Sequence, residues 1–232
     1  MESDNFIHKT FNVIDKQLCS ASIAALDETV LREKKSMSWF GGKFLGLPEE
    51  IWPETEHGPM LPLLQVQVLD LPYVPEPLKS TELFTVFIDS RQPPAESPLV
   101  NDHGWRIRTY ANLDELMPLE QPQIERSLRP CPVRWELSSS EGPTWHDAQR
   151  LVDDRRFFDV MHSILLYHER YKVHLGTKVG GWPGWVQRSL VAPQGFVMQI
   201  ASEETANWGF GDNGKCYIFF KRGEWLLYWD GF

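Results

Sequence analysis

The side chains with the clearest potential for metal binding are the seven histidines. His162 and His168 lie six residues apart on a predicted helix, whereas side chains that share one helix face are three or four residues apart. A metal site built from His168, His174 and Asp212 is conceivable, because histidine and aspartate are common zinc ligands. Partly exposed polar side chains are far more common in such a pattern. We therefore predict no metal site and no cofactor.

Catalysis by a nucleophile has no clear signature in this sequence. Histidine and aspartate stand side by side at residues 102–103 and 146–147, but catalytic pairs are assembled by folding and rarely come from direct neighbours. The sequence contains neither the GxSxG elbow of hydrolases nor the HExxH motif of zinc proteases. It predicts no catalytic residue and favours a protein that is not an enzyme.

Two glycine-rich segments, residues 42–48 and 177–183, resemble each other. A lysine, a glycine and a proline recur in both at one constant offset, and each segment is followed by an apolar run that contains a glutamine. Such self-similarity predicts two copies of one supersecondary unit related by a pseudo-twofold axis. We expect a single domain with repeats at about residues 38–137 and 143–232, after a helical segment at residues 3–35.

The glycines of these segments do not match a phosphate-binding loop. Such a loop carries its glycines at a helix N-terminus with lysine after them, whereas Lys178 precedes its glycines and Pro183 follows them. A tight loop with close backbone approach is the expected structure. A lysine at the same place in both copies could still line a shared cleft. The residues of this candidate ligand cleft are Lys43, Gln65, Lys178 and Gln199.

The composition excludes several classes of protein. The net charge of −9 and the absence of a lysine- and arginine-rich stripe argue against nucleic-acid binding. No apolar run approaches the length that spans a bilayer, and the first residues are polar, unlike a signal peptide. Three dispersed cysteines argue against a disulfide framework. We predict a reduced, cytoplasmic protein that makes no contact with membranes.

The apolar pattern predicts both helices and strands. Apolar residues recur every three to five positions over residues 3–35 and again over residues 154–171, which is typical of amphipathic helices. The polar run at residues 138–143 is the expected boundary between the copies. We therefore predict an internally duplicated α+β fold with mainly antiparallel sheets and covering helices. The predicted strands are residues 63–69, 83–88, 105–110, 133–137, 196–200, 215–221 and 224–229.

Residues 176–183, with Trp185 and Gln187 after them, resemble the KxGGxP…Q signature of the YwqG-like family. The resemblance covers roughly residues 38–232 and implies a duplicated α+β fold. The family is one of unknown function, and some relatives lie near genes for secreted toxins, which implies immunity proteins. Further residues that follow the family order are 197–200, Trp208, Gly209, Asp212, Gly214 and 217–220, with 40–42, Leu47, Pro48, Trp52, Pro53 and Gln65 in the first copy.

These observations favour a non-enzymatic protein-binding module, most simply an immunity protein that occludes a secreted bacterial toxin. The acidic charge would complement a basic toxin domain. A small-ligand-binding protein or an enzyme that uses the cleft between the copies is the alternative, and a scaffold in a larger assembly is a third. The sequence predicts no oligomeric state. The residues expected to contact a protein partner are Trp182, Trp185, Glu203, Glu204 and Asp212.

Overall fold

The computed structural model is built mainly of β-strands. It describes residues 2–26, 38–89, 91, 99–124, 128–153, 156–159, 163–187 and 193–231, with side chains from residue 6 onward. In chain order, the strands of this described part are β1 (Cys19–Leu26), β2 (Trp39–Phe40), β3 (Leu45–Gly46), β4 (Glu54–Thr55), β5 (Gly58–Pro59), β6 (Leu61–Gln67), β7 (Leu83–Ile88), β8 (Leu99–Val100), β9 (Trp105–Tyr110), β10 (Met117–Pro118), β11 (Cys131–Glu141), β12 (Lys178–Gly180), β13 (Phe196–Ala201), β14 (Lys215–Lys221) and β15 (Glu224–Asp230).

Eleven of these strands form one curled, antiparallel sheet that is shaped like a half-barrel. Their order is β8-β15-β14-β13-β12-β1-β11-β2-β6-β7-β9. The centre of the sheet is the long pair β1 and β11, in which Ala21 lies opposite Ser138. On its other side β1 pairs with β12, where Ala21 lies opposite Gly180. The middle of the sheet is therefore built from segments that are far apart in the chain.

Asn101 connects the two ends of this sheet. It lies in the four-residue turn between β8, at one end, and β9, at the other. Its backbone N–H donates to the carbonyl of Trp225 in β15 at 3.2 Å. Its side-chain oxygen accepts from the N–H of Ile107 at 2.8 Å, and its amide nitrogen donates to the Ile107 carbonyl at 3.1 Å. The carboxamide thus bonds to the edge strand β9 as a neighbouring backbone would.

Buried apolar side chains from many strands of the sheet pack into one large core. It combines Phe84 and Val86 of β7 with Ile218 of β14 and Val133 of β11, all of them buried. Phe87 of β7 points into a separate cluster with Phe44 and Trp52. The strand is thus buried on both faces, as its continuous apolar run predicts. The predictions of strands at residues 83–88, 105–110 and 215–221 are confirmed to the residue.

The helices are α1 (Glu2–Asp15), α2 (Trp145–Leu151), α3 (Arg156–Asp159) and α4 (Ser163–Arg170). They pack mainly against one another around Ile14, Phe157 and Tyr167. The prediction of an α+β fold in two halves with covering helices is therefore wrong. The chain is 39% strand and 21% helix, and a single sheet carries the fold. The division into repeats at residues 38–137 and 143–232 stays a prediction.

Two predicted segments differ from the structure for identifiable reasons. The helix predicted at residues 3–35 ends at Asp15, and residues 19–26 form the central strand β1, while residues 27–35 lie outside the described part. The apolar spacing alone did not decide the structure of residues 19–26, because neighbouring strands satisfy their backbone on both sides and tertiary context overrides the local pattern. The polar run expected as a linker begins within β11, because residues 138–141 pair with β1.

Candidate functional site

A row of polar side chains crosses the sheet beneath the glycine-rich segments on either side of β12, residues 174–177 and 181–187, which we together call the glycine loop. Lys178 of β12 lies directly opposite Gln199 of β13, and Gln199 lies opposite Tyr217 of β14. Residues that lie opposite each other on neighbouring strands point to the same face of the sheet. The row therefore faces the glycine loop as one group.

The central contact of this group is an ion pair between Lys178 and Glu141. Their nitrogen and oxygen are 2.6 Å apart, and their side chains are 0% and 3% exposed. The carboxylate of Glu141 also accepts from the backbone N–H groups of His174 at 2.7 Å and Trp182 at 3.3 Å. Burial lowers the pKa of Lys178, and the neighbouring Glu141 carboxylate opposes that shift. The pair thus joins β11 and β12 to the glycine loop.

Gln199 holds the same loop through its side-chain amide. Its oxygen accepts from the N–H of Gly184 at 2.7 Å, and its nitrogen donates to the carbonyl of Gly176 at 2.6 Å. Because the buried amide uses its oxygen as an acceptor and its nitrogen as a donor, these bonds fix its own orientation and that of the loop. Gln199 is therefore a positioning residue for the glycine loop.

Two further strands contribute polar contacts. Lys215 of β14 donates to the carbonyl of Gly184 at 2.8 Å. Burial lowers the pKa of Lys215 to about 8; the carboxylate of Asp230 opposes the shift and the charge of Lys178 adds to it. Asp230 of β15 accepts from the Tyr217 hydroxyl at 2.7 Å and from the N–H of Gln187 at 3.1 Å. All of these groups bond to the backbone of the loop or to each other.

The chemistry of this group is structural. Lys178, Lys215 and Gln199 would be the reactive or recognising groups, and each has its polar atoms engaged by protein atoms. Burial, together with the nearby charges of Lys178 and Lys215, lowers the pKa of His174, which favours a neutral imidazole. The arrangement fixes a loop conformation and leaves no activated nucleophile among these residues.

The residues of the candidate ligand cleft lie in different environments. Lys178 and Gln199 are buried neighbours under the glycine loop. Gln65 is also buried, and its oxygen accepts from the N–H of Leu45 at 2.8 Å. Lys43 is exposed and lines a shallow groove with residues 118–123. The use of these four residues as one cleft stays a prediction.

The five residues expected to contact a partner differ in how exposed they are. Trp182 is half-buried and donates from its ring to the carbonyl of Gln17 at 2.8 Å. Trp185 is half-buried, with its ring nitrogen 2.9 Å from a carboxylate oxygen of the buried Asp147. Burial raises the pKa of Glu203, although a hydrogen bond from Thr177 opposes the shift. Of the predicted acidic residues, Glu204 and Asp212 are the exposed ones.

A second feature of the molecule is an acidic surface groove, lined by residues 47–54 and 117–122 with Arg106, which we call the acidic groove. Its volume is about 810 Å³. Glu49, Glu54 and Glu120 are exposed along it. Ile51 projects there with 80% of its surface exposed. The groove thus combines carboxylates with an apolar anchor.

A third feature is a groove of about 550 Å³ beside the helices, which we call the aromatic groove. Four of its lining residues are aromatic, namely Trp145, Tyr167, Tyr171 and Trp185. The remaining lining residues are 143, 144, 146, 164, 168, 172, 173, 175, 186 and 187.

Sequence reasoning missed the partners of the glycine loop. Glu141 stood in the expected linker, Lys215 stood at the start of one predicted strand, and Asp230 came directly after the end of another. A usable signal was present, because single charged residues bordered apolar strands that were expected to be buried. The acidic groove was missed because its glutamates come from two segments rich in proline and without periodicity.

Within the described residues, no helix is both long enough and apolar enough to cross a bilayer. The same residues contain no group of three or more histidine, cysteine or acidic side chains that could hold a metal ion. A search of the curated proteins finds no match to the chain. The model of one protein family, described as "Domain of unknown function (DUF1963)", matches residues 38–225. Because that match spans most of the 232 residues, the chain belongs to this family of unknown function.

Proposed function

We propose that the protein is a YwqG-like, non-enzymatic binding module. In this proposal it acts in the cytoplasm as an immunity protein and occludes a basic domain of a secreted bacterial toxin. The observation that carries the proposal is the acidic groove, in which exposed carboxylates surround an exposed isoleucine. The engaged state of the polar groups under the glycine loop supports binding rather than catalysis.

The acidic groove has the composition of a protein-binding surface. Ile51 is an exposed apolar anchor, and Met117, on the opposite segment, is 49% exposed. An apolar centre with a polar rim is the usual anatomy of a protein interface. The one cation of the lining, Arg106, is ion-paired with Asp102. The groove therefore presents a negative surface to a partner.

Charge complementarity suggests how the protein would occlude its target. A partner domain with a basic cleft would be attracted by the net charge of −9 before contact. Its lysine or arginine side chains would then enter the acidic groove beside Glu49, Glu54 and Glu120. Covering a basic active-site cleft in this way blocks substrate access without any reaction. Cys19, Cys131 and Cys216 are thiols that form no disulfide with one another, which supports a reducing compartment.

Charge reversal can show whether the partner binds the acidic groove or the surface predicted from the sequence. The acidic groove contains none of the five partner-binding residues predicted from the sequence. We would therefore compare two variants, E49K/E54K/E120K in the groove and E204K/D212K outside it. All five positions are exposed, so both variants are expected to fold.

The test begins with affinity capture of the tagged protein from host cells that express their toxins, followed by mass spectrometry. A captured basic toxin domain is then expressed in a susceptible host, where co-expression of the protein should restore growth. We expect E49K/E54K/E120K to lose both capture and rescue, and E204K/D212K to keep them. Rescue that survives the groove variant but fails with E204K/D212K would move the interface to the predicted surface. Failure of every form to capture or rescue would contradict the proposed function.

A further inference from the structure

We propose that the aromatic groove is a second docking site, which takes an amphipathic helix of a partner protein with carboxylates beside its apolar face. This inference does not depend on the proposed function, because the acidic and aromatic grooves share no lining residue.

The first observation is a concentration of exposed apolar side chains around this groove. Ile164 and Leu175 line it and are 42% and 55% exposed. Both are among the ten large apolar side chains that are exposed in the part of the chain described by the structure. Exposed apolar surface marks an interaction site, and the half-buried Trp145 and Trp185 add aromatic surface of the kind that anchors binding energy. Tyr167 and Tyr171 are buried and form the floor of the groove.

The second observation concerns the backbone of the occupant. The lining comes from α2, α4 and the loops beside them, and no lining residue belongs to a strand. An extended peptide usually binds by pairing its backbone with a free strand edge. A helix satisfies its own backbone hydrogen bonds and needs only an apolar groove for its side chains. The aromatic groove therefore suits a helix better than an extended segment.

The third observation is the charge of the lining. Lys172 is its one formal positive charge at pH 7, and it contains no carboxylate. The nearby Asp147 is buried and accepts from the ring of Trp185. Asp15, which accepts from Tyr171, is ion-paired with Arg170, so neither carboxylate reverses this charge. A second copy docked through the same groove would bring the Lys172 side chains of the two copies together. A partner helix with flanking glutamates or aspartates would instead complement Lys172.

The probe is a fluorescein-labelled helical peptide of about 16 residues, long enough for a stable helix. It carries leucines at positions i, i+3, i+4 and i+7 and glutamates beside them. The matched peptide keeps the leucines and replaces every glutamate by lysine. Fluorescence anisotropy with the full chain should show binding of the glutamate peptide at least about tenfold tighter than of the lysine peptide.

Matched variants on one helix locate the site. Ile164→Glu should weaken binding of the glutamate peptide by about tenfold or more, because Ile164 lines the groove. Leu165→Glu makes the same change one residue later on α4, outside the lining, and should stay within about twofold of the parent. If Ile164→Glu lowers the melting temperature, Ile164→Ala replaces it. Lys172→Glu should reverse the preference between the two peptides, whereas Lys79→Glu, at a distant exposed lysine, should not.

Three results would overturn this inference. One is the absence of binding of either peptide at concentrations up to about 100 μM, roughly the weakest affinity expected of a helix-in-groove contact. Another is equal weakening by Ile164→Glu and Leu165→Glu. The last is loss of peptide binding in E49K/E54K/E120K, because that variant leaves the aromatic groove unchanged.

Discussion

The glycine-rich segments at residues 42–48 and 177–183 match in sequence, yet their lysines lie in opposite environments. Lys178 is wholly buried against Glu141, whereas Lys43 is exposed beside residues 118–123. The rest of the two segments behaves alike. A glutamine from the following strand accepts from a loop N–H in both, at Leu45 for Gln65 and at Gly184 for Gln199.

Leu47 and Trp182 occupy matching positions in the two segments, and the backbone N–H of each donates to a carboxylate. Glu50 accepts from the N–H of Leu47 at 2.9 Å, and Glu141 accepts from the N–H of Trp182 at 3.3 Å. Glu50, however, comes from the loop itself and also contacts Arg108, while Glu141 comes from the central strand β11. In both segments, therefore, a loop N–H needs a carboxylate as hydrogen-bond acceptor. Where that carboxylate comes from a buried central strand, as Glu141 does, a lysine is buried beside it.

The largest expected effect is removal of the buried carboxylate. Glu141→Gln leaves the Lys178 ammonium buried without its counter-charge, so we expect a loss of about 3–5 kcal/mol of unfolding free energy. Glu50→Gln, in the other segment, should cost only about 1 kcal/mol, because the Glu50–Arg108 contact is longer, at 3.5 Å, and Arg108 keeps its hydrogen bond to the Ile51 carbonyl.

Urea unfolding followed by tryptophan fluorescence would measure both losses. The double variant E141Q/K178M removes the orphaned charge and should regain part of the stability lost in Glu141→Gln. Lys43→Met, at the exposed lysine, should stay within about 0.5 kcal/mol of the parent. Similar losses for Glu141→Gln and Glu50→Gln would refute the contrast between the two carboxylates.

A smaller effect is expected from the paired glycines. Gly181 has a φ of 74°, in the left-handed region, and an added Cβ would collide with the carboxylate of Glu141. Gly46 lies outside that region, and its Cβ would meet the Leu119 side chain and the Glu50 carboxylate at 2.7 Å. We expect Gly181→Ala to cost about 3 kcal/mol and Gly46→Ala about 1–2 kcal/mol, measured by urea unfolding. The reverse order would contradict the backbone assignment of Gly181.

The smallest effect is a dependence on pH. Burial lowers the pKa of Lys215 from its ordinary value of 10.5 to about 8, so the unfolded chain binds the proton more tightly than the folded protein. Between those values the unfolded state carries more protons, and the stability contributed by this group rises with pH. Relative to Lys215→Met, the parent should therefore gain stability from about pH 8 to pH 10.

The measurement is the difference in melting temperature between parent and Lys215→Met at several pH values. Lys178 and Lys221 have pKa values lowered in the same direction, so a residual rise in Lys215→Met would come from these two lysines. Lys43→Met, at the exposed lysine of the other segment, is the matched control. A difference that stays constant with pH would remove Lys215 as its source.

Much of the strand pattern could be predicted from the sequence, because buried strands contain continuous or alternating runs of apolar residues. Residues 83–88, 105–110 and 215–221 are such runs. The central strand β1 could not be predicted in this way, because Cys19–Leu26 is rich in small residues and gains its hydrogen bonds from partners far along the chain. Its identity as a strand depends on the tertiary structure.

The candidate sites show the same limit. The irregular backbone of residues 181–187 was predictable, because its glycines and proline exclude regular structure, whereas strand β12 within the same glycine-rich segment was not predicted. The partners of the glycine loop, Glu141, Lys215 and Asp230, lie on three different strands, and only the sheet order brings them beneath the loop. The two grooves depend on the packing of separate loops and helices, which one sequence does not specify.

The central position of β1 has a consequence for how the chain folds. This early strand pairs with residues 133–141 and 178–180, so its neighbours are synthesised more than a hundred residues later. Contacts over such separations carry a high loop-closure entropy and are associated with slow folding. During synthesis both edges of β1 stay unpaired until β11 and β12 have left the ribosome. Refolding should accordingly be slow, and the middle of the sheet should form among the last parts of the molecule.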